Sequence, residues 1–495
     1  MSHAPSTSAK PEARTLKREF TLWSSFAFAF AFISPIVALH GIFGLAYIGA
    51  GPSFWWGFFI VFAGQFLVAL IFAVLVSRWP LEGSIYQWAS RLMGPGYGWF
   101  AGWFYIWTLV IAMSTVALGA AGFLAAIFGV ADQATTVALI AFGILIFGTG
   151  INLVGRIVLK AFMGIAIVAT VIGSVGLSIW LLLFHRVQSL SVLLDGGASI
   201  GESLQYFAVG GPFLLALAFI GWSFVGFESA AAISEEVAEP RRDVPKAILS
   251  SLVLIAIVVM FSALALILTI PDEPEQLAGW GADPVYAVLT AHLGTGISVW
   301  IQILFVIGFV ASFLALQTSA SRLIWAKARD NALPASGVLV KLTKRQHQPI
   351  AAVLFTTAVG TLLLLVSSLA ENVYAIGVNF TAGGFYLSFL FPVLGFAIVY
   401  LRGRWVSGKF SLGSVTGIIA IVATVWVVLQ LVNIAWPRAV NDLPVMDWSI
   451  VIGAAVLTIL GLIAYMAVRR NIPDMTGVEV TDDQIGEEMR PDGLG

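Results

Sequence analysis

Residues 219–249, FIGWSFVGFESAAAISEEVAEPRRDVPKAIL, are the stretch that decides the fold class of this chain. It is an apolar span interrupted by Gly221 and Gly226, it carries Glu228 inside, and it ends in a dense run of charged residues. An ionisable group at membrane depth is costly, and glycines that loosen a helix leave backbone groups in need of partners. Such features are tolerated mainly where they line a pathway or a binding site, so the stretch predicts a transporter.

The composition of the whole chain predicts an all-α polytopic membrane protein. Of its 495 residues, 59% are hydrophobic and only 10% are charged, and the mean hydropathy is +0.97. A bilayer-spanning helix needs about 20 apolar residues. Twelve segments meet that length, near residues 22–46, 54–77, 97–128, 133–155, 157–184, 207–232, 246–270, 297–325, 350–369, 373–400, 412–436 and 447–468.

The basic residues predict the orientation of these twelve helices. With the N-terminus in the cytoplasm, all but Arg186 and Arg438 of the 25 lysines and arginines lie on the inside, as the positive-inside rule requires. An even number of spans then places the C-terminus in the cytoplasm as well. We expect an integral protein of the plasma (inner) membrane, with polar cytoplasmic tails at 1–20 and 469–495. Segments 1–19 and 471–495 are predicted to be disordered.

Interruptions at corresponding positions predict an inverted repeat. Pro35 removes a backbone hydrogen bond in the middle of helix 1, and the two glycines interrupt helix 6. Five helices separate the two breaks, so helices 1 and 6 run in opposite directions, as inverted repeats of transporters do. The predicted organisation is a first five-helix repeat at 21–184, a second at 207–400, and two additional helices at 411–468, which are expected to be peripheral or to form an oligomer interface.

Four segments resemble the amino acid-polyamine-organocation (APC) superfamily of permeases, in its amino acid/choline transporter branch. They are SFAFAFAFISPIVAL (25–39), SRWPLEGSIYQWASRLMGPGYGWFAGW (77–103), GWSFVGFESAAAISEEVAEPRRDVPKAI (221–248) and SRLIWAKARDNALP (321–334). The last two segments together are specific, because their order, their spacing and their predicted side of the membrane all resemble the family pattern. The resemblance implies the LeuT-like inverted 5+5 helix fold and secondary transport of amino acids, amines or choline-like cations.

The chemistry of the two breaks suits a zwitterionic substrate. A half-helix starting at Ser34, Pro35 and Ile36 offers unpaired N–H groups to a carboxylate, and a half-helix ending near Trp222 offers carbonyls to an ammonium. Trp222 and Phe224 can cover an apolar side chain or attract a cation by a cation–π contact. The alternative is that Pro35 merely kinks a continuous helix and that the aromatic residues are packing.

Further candidates surround these breaks. Phe227, Tyr105 on helix 3 and Asn379 on helix 10 are predicted substrate contacts. Glu228 is the predicted coupling residue, since a carboxyl group shielded from water can take up a proton on one side and release it on the other. The alternatives are a neutral carboxyl that bonds the broken backbone and direct pairing with a substrate amine. A proton is the favoured coupling ion and Na⁺ remains open, as does exchange.

Charged residues at the cytoplasmic mouth predict a gate. Glu235 and Glu236 are expected to form salt bridges with Arg78 or Arg322, although exposed pairs alone stabilise by only about 0–1 kcal/mol. The alternative is a solvated loop face.

Other functional classes fit the sequence less well. No catalytic cluster or metal-ligand spacing is visible, so we expect neither an enzyme nor a cofactor or metal site, and the net charge of −1 gives no reason to expect a nucleic-acid partner. The prediction is a permease for amino acids or small amines that works by alternating access. Choline, polyamine or GABA transport and a non-transporting substrate sensor are the alternatives.

Overall fold

The computed structural model describes residues 20–131, 133–196, 203–270, 284–343, 347–367, 373–438 and 447–479. Within these ranges the regular structure is helical, apart from an isolated parallel bridge between Phe20 and Val237. The prediction of an all-α polytopic protein is confirmed. Most of the two predicted tails, residues 1–19 and 480–495, lies outside the described residues.

Eleven helices in the described ranges are long and apolar enough to cross a membrane. A further helix, Ile350–Ser367, has an apolar part just below that length, so the count of twelve stays a prediction. We number them helix 1 (Leu22–Ala50), 2 (Pro52–Arg78), 3 (Pro95–Phe128), 4 (Ala134–Val154), 5 (Ile157–Phe184), 6 (Pro212–Ala232), 7 (Pro240–Ile267), 8 (Pro284–Arg329), 9 (Ile350–Ser367), 10 (Val373–Leu401), 11 (Gly413–Ala435) and 12 (Ser449–Val468).

Proline marks where several of these helices begin. Helices 3, 6 and 7 start at Pro95, Pro212 and Pro240, where the missing N–H of proline would have had no intrahelical acceptor anyway. A shorter helix, Ser84–Met93, connects the end of helix 2 to the start of helix 3. Helix 8 bends sharply at Gly294, where φ is 70°.

Helices 1 and 6 are both broken. Helix 1 consists of Leu22–Ile33, Pro35–His40 and Phe43–Ala50, and its first break lies at Ser34, where φ is 41°. Helix 6 runs as an α-helix over Pro212–Ile220 and as a 3₁₀ turn over Gly221–Phe224, and it resumes at Ser229–Ala232. Pro35 therefore begins a new helical segment and does not merely kink a continuous helix.

Contacts at both ends show that helices 1 and 6 run in opposite directions. Phe20, just before helix 1, forms backbone hydrogen bonds with Glu236 and Ala238, just after helix 6. At the other end, the Tyr206 hydroxyl, shortly before helix 6, donates to the carbonyl of Ala50 at 2.6 Å. The antiparallel arrangement is what the predicted inverted repeat requires, while the repeat boundaries themselves stay a prediction. We call the end with Phe20 the basic end, and the other the opposite end.

Burial separates an inner from an outer set of helices. In the apolar stretches of helices 1 and 6, 89% of the residues are buried, compared with 28% for helix 11 and 6% for helix 12. The broken helices thus lie at the centre of the molecule, and the last two helices lie at its periphery. Unpaired backbone groups at membrane depth are tolerated in this position because the surrounding protein can satisfy them.

Candidate functional site

The two helix breaks pack directly against each other. The Ser223 hydroxyl in helix 6 donates to the carbonyl of Ala38 in helix 1 at 2.5 Å. Gly226 has a φ of 95°, and a Cβ at this position would overlap the ring of Phe32. On helix 8, the Ser312 hydroxyl donates to the carbonyl of Phe32 at 2.6 Å. Side chains of neighbouring helices thus satisfy carbonyls beside the breaks.

A narrow cavity lies between these breaks and helices 3, 8 and 10. Its volume of about 20 Å³ is roughly enough for one water molecule and too small for an amino acid. Its lining is mostly apolar, and the polar side-chain groups of its lining residues are two hydroxyls and the indole N–H of one tryptophan. The lining residues are Phe32, Ile33, Val37, Ala112, Val116, Trp222, Val225, Ser312, Leu316, Thr381 and Phe385.

The residues predicted at the two breaks lie around this cavity in different ways. Trp222 lines it. Ser34 and Pro35 form the break itself, and the buried Ser34 hydroxyl has no hydrogen-bond partner among the described residues. The side chain of Ile36 does not line the cavity. It packs beside Gly308 of helix 8.

The two predicted phenylalanines contribute to packing around the site. Phe224 makes ring contacts with Phe58 and Phe62 of helix 2. Phe227 is equally buried and makes ring contacts with Phe72 and Phe389. Neither is among the residues that line the central cavity.

Glu228 connects helix 3 to the break in helix 6. Its Oε1 atom accepts a hydrogen bond from the Tyr105 hydroxyl at 2.8 Å, and its Oε2 atom accepts from the backbone N–H of Gly226 at 2.9 Å. The side chain is fully buried and does not line the cavity. This geometry matches the alternative in which the carboxyl group bonds the broken backbone.

Asn379 lies apart from the central cavity. It lines a larger cavity at the opposite end, between helices 1, 6, 10, 11 and 12. Thr381, two residues further along helix 10, lines the central cavity, and its buried hydroxyl has no partner among the described residues.

A buried cluster of charges closes the basic end. Arg322 Nε donates to Glu236 Oε1 at 3.1 Å, and the two side chains are 5% and 0% exposed. Glu235 forms a bidentate pair with Arg329, with distances of 2.9 and 3.1 Å, and it also accepts from the backbone N–H of Glu82 at 3.0 Å. The two glutamates therefore pair with arginines of helix 8, and the partner of Glu235 is Arg329, which the sequence did not indicate.

Arg78 has partners other than those predicted. Its guanidinium bonds Glu479 at 2.5 Å and the carbonyl of Val406 at 2.7 Å. The backbone N–H of Gly477 donates to the carbonyl of Arg91 at 2.9 Å. The prediction that 471–495 is disordered is therefore wrong for 471–479. This segment folds back onto the basic end, where Glu479 forms an ion pair with the buried Arg78.

Glu82 lies in the same cluster and forms no salt bridge with the residues that the structure describes. It is fully buried, and neither carboxyl oxygen has a hydrogen-bond partner in the part of the chain that the structure describes. Burial, reinforced by the negative charges of Glu236 and Glu235, raises its pKa well above the usual range, against the opposing effect of Arg322 and Arg329. The pKa of Asp330 is also raised, chiefly by burial.

Several residues of this arrangement were not identified from the sequence. Ser312 and Phe385 line the central cavity, and Arg329 and Glu82 belong to the basic cluster. A serine within an apolar helix and a glutamate directly before Gly83 were visible signals. Their partners, however, come from distant parts of the chain, so no local pattern identified them.

Comparisons with known proteins agree with this architecture. A family model described as amino acid permease matches residues 20–469. The chain is 24% identical to amino-acid permease BAT1 of Arabidopsis thaliana, over 86% of each chain. It is 26% identical to amino-acid permease 2 of Neurospora crassa, over 80% of this chain and 75% of that one. It is 28% identical to the branched-chain amino acid permease BcaP of Lactococcus lactis, over 58% of this chain and 63% of that one.

Proposed function

This chain belongs to the amino acid permease family of membrane transporters, and from that premise we propose that it carries neutral amino acids with apolar side chains by alternating access. The observation that supports this substrate class is the lining of the central cavity. Nine of its eleven residues are apolar, and Ser312 and Thr381 are the two polar ones. A charged side chain or a polyamine would lose its hydration there, and this cavity offers no side chain of opposite charge among its lining residues to compensate that loss.

The broken helices supply the groups that a zwitterion needs. The short segment Pro35–His40 begins at the cavity, and its first N–H groups are directed towards the break. The 3₁₀ turn Gly221–Phe224 ends at Val225, which lines the same cavity, and the last carbonyls of a helical turn have no acceptor role within the turn itself. A substrate carboxylate would lie on the helix 1 side, the ammonium on the helix 6 side and the side chain against Trp222.

Alternating access requires that the cavity widen towards one end at a time. The central cavity is too small for a substrate in this structure, and the basic end is closed by the pairs Glu235–Arg329 and Glu236–Arg322. We place this end in the cytoplasm, following the distribution of basic residues. Separation of the two pairs would then be the step that opens the site to the cytoplasm.

We further propose that a proton is the coupling ion and that Glu228 carries it. The carboxyl group is buried at the break, where a change of its charge alters its bonds to Tyr105 and Gly226. A sodium site would need free oxygen ligands between helices 1 and 8. The Ser312 hydroxyl bonds the helix 1 carbonyl of Phe32, and the Thr318 hydroxyl bonds Asn152, whereas the buried hydroxyls of Ser34 and Ser319 have no partner among the described residues. The comparison of imposed proton and sodium gradients therefore decides between the two ions.

Uptake into proteoliposomes tests the proposal. The purified protein is given radiolabelled leucine, alanine, glutamate, lysine, putrescine, choline and GABA, with an imposed proton or sodium gradient. Leucine or alanine uptake that follows the proton gradient is expected. Uptake of putrescine or choline in preference to leucine would refute the substrate class, and binding of leucine without any flux would indicate a sensor.

A tryptophan pair connects that activity to the central cavity. Trp222→Ala removes the aromatic wall and is expected to lower leucine uptake by about tenfold or more. Trp300→Ala is the matched control, because Trp300 lies on helix 8 with 70% of its surface exposed. Equal activity of both variants would contradict the placement of substrate against Trp222.

A further inference from the structure

The segment 471–479, which follows helix 12, lies against the basic end of the molecule. It forms only turns and bends, so contacts with other parts of the chain hold it in place. Ile472 and Met475 pack against the apolar core. The backbone N–H of Gly477 donates to the carbonyl of Arg91 at 2.9 Å, and the Glu479 carboxylate forms an ion pair with Arg78.

Both anchor points of this segment lie in residues 78–91, which we call the connecting stretch because they lead from helix 2 towards helix 3. Arg78 is the last residue of helix 2, and Arg91 lies in the short helix Ser84–Met93. The Arg91 guanidinium also lies 3.8 Å from the sulfur of Met475. The segment 471–479 therefore holds the connecting stretch at both of its ends.

The connecting stretch in turn supports the ion pair between Glu235 and Arg329. The backbone N–H of Glu82 donates to the Glu235 carboxylate at 3.0 Å. The side-chain amide of Gln87 donates at 2.9 Å to Asp330, the residue next to Arg329. Separation of the pair has to break or displace these bonds. A connecting stretch that is held in place therefore opposes the opening of the basic end.

The contact between Arg78 and Glu479 can open without unfolding the protein. The Glu479 side chain is 62% exposed, so salt screens the pair and water can replace the carboxylate. Arg78 keeps other partners when Glu479 leaves. Its guanidinium donates to the carbonyl of Val406 at 2.7 Å and lies over the rings of Trp79 and Trp405, at 4.7 and 4.8 Å. Release thus does not leave a buried cation without compensation.

We propose that residues 471–479 are an autoinhibitory latch, which holds the connecting stretch against the Glu235–Arg329 pair and slows the opening of the basic end. When Gly477 and Glu479 release their partners, the connecting stretch moves with Glu235 and the pair separates more readily. The proposal rests on the proposed function for the direction of transport steps, and it adds regulation of one step by the C-terminal segment of the same chain.

The accessibility of a buried cysteine measures the opening of the basic end without any substrate. Ser234, next to Glu235, is 0% exposed, and the natural chain contains no cysteine. In the purified full-length protein, Glu479→Gln or removal of residues 472–495 should raise the rate at which a maleimide labels Ser234→Cys about threefold or more. Removal of residues 480–495 alone keeps every contact described above and should leave that rate unchanged. Val338→Cys, at a position that is 55% exposed, should react equally fast in all backgrounds.

Leucine uptake into proteoliposomes measures the effect on transport. Glu479→Gln and removal of residues 472–495 should raise kcat about threefold or more with KM little changed, because the latch slows a conformational step and touches no substrate. Glu239→Gln is the matched control, since its side chain is 63% exposed at the same end, and it should transport like wild type. Higher salt should raise the wild-type rate towards that of Glu479→Gln and leave that variant unchanged.

The outcomes separate a latch from a structural support and from the transport activity itself. Unchanged labelling of Ser234→Cys and unchanged kcat in both latch variants would overturn the latch. A lower midpoint of thermal unfolding and slower uptake after removal of residues 472–495, with Glu479→Gln like wild type, would also overturn it and make the segment a structural support. Faster labelling without uptake of any amino acid would keep the latch and refute the proposed function.

Discussion

At Gly226 a backbone requirement and a steric requirement coincide. Its φ of 95° lies in the region that side chains other than glycine rarely adopt, and an added Cβ would overlap Phe32. The same residue donates its N–H to Glu228. One glycine therefore sets the path of the helix 6 break, its contact with helix 1 and the position of the buried carboxyl group.

Gly226→Ala is expected to abolish leucine uptake and to lower the midpoint of thermal unfolding. The strained φ alone costs about 1–2 kcal/mol, and the overlap with Phe32 adds to this cost. Gly164→Ala on helix 5 is the control, since nothing lies within 4 Å of an added Cβ there. Leucine uptake and the thermal unfolding midpoint are measured on both variants. A fully active Gly226→Ala protein would show that transport does not need the close approach of Gly226 to Phe32.

Glu228→Gln separates the proton-carrier role from the structural role. A glutamine can keep both bonds, because its Oε1 can accept from Gly226 and its Nε2 can donate to the Tyr105 hydroxyl. The variant should fold normally but lose its dependence on the proton gradient, whereas Glu228→Ala should also lose thermal stability. Gradient-driven uptake and counterflow exchange are measured on each. Unchanged proton-driven uptake in Glu228→Gln would assign the carboxyl group a structural role alone.

Glu82 makes the basic end sensitive to pH. Its raised pKa means that the folded protein holds the proton more tightly than the unfolded chain does. The stability that this provides is fully present below the unfolded pKa of about 4.5 and is lost as the pH rises through the folded value. Glu82→Gln cannot ionise, so its unfolding midpoint should exceed that of wild type by an amount that grows with pH. A difference that is constant from pH 5 to pH 9 would contradict this assignment.

At the scale of whole elements, the sequence predicted the features that depend on local chemistry. Proline removes a backbone hydrogen bond and glycine loosens the helix, so a proline in helix 1 and two glycines in helix 6, at corresponding positions, allowed both breaks to be predicted from the residues. The partners of the charged residues were not. Glu235 and Arg329 are 94 residues apart, and only the packing of helix 8 against the end of helix 6 brings them together.

The same distinction applies to the aromatic residues of helix 6. Trp222, Phe224 and Phe227 are all aromatic and lie close together in sequence. Of the three, only Trp222 lines the central cavity. The irregular turn between Gly221 and Gly226 decides which way each ring points. Helical periodicity does not hold through such a turn, and for this reason the sequence could not separate a cavity wall from packing.

The charge cluster at the basic end should respond to neutralisation as a buried pair does. Glu235→Gln or Arg329→Gln alone leaves one charge without its partner and is expected to destabilise the protein by about 3–5 kcal/mol. The double variant should lose less than the sum of the two single losses. Glu239→Gln and Arg242→Gln form the control cycle, because both side chains of that pair are 63% exposed and the expected cost is about 0–1 kcal/mol. Additive losses at Glu235 and Arg329 would mean that the two residues do not act as a pair.

At the scale of the whole molecule, the two ends are built for different tasks. The basic end is sealed by buried ion pairs and by the segment 471–479, which bonds Arg78 and Arg91. The opposite end has the larger cavity, bordered by the two least buried helices. In the proposed orientation, closed ion pairs on one side and an open cavity on the other correspond to a transporter that is closed to the cytoplasm.

That orientation can be measured directly because the chain contains no cysteine. Val187→Cys introduces a thiol at the opposite end and Val338→Cys at the basic end, and the two valines are 58% and 55% exposed. In intact cells, a membrane-impermeant maleimide should label Val187→Cys, whereas Val338→Cys should react only after permeabilisation. The wild-type chain is the background control, since it has no thiol to react. The reverse pattern would place Arg78, Arg322 and Arg329 outside the cell, and the buried ion pairs would then close the extracellular entrance. Labelling of both variants in intact cells would mean that the number of spans between residues 187 and 338 is even, in contradiction to helices 6, 7 and 8.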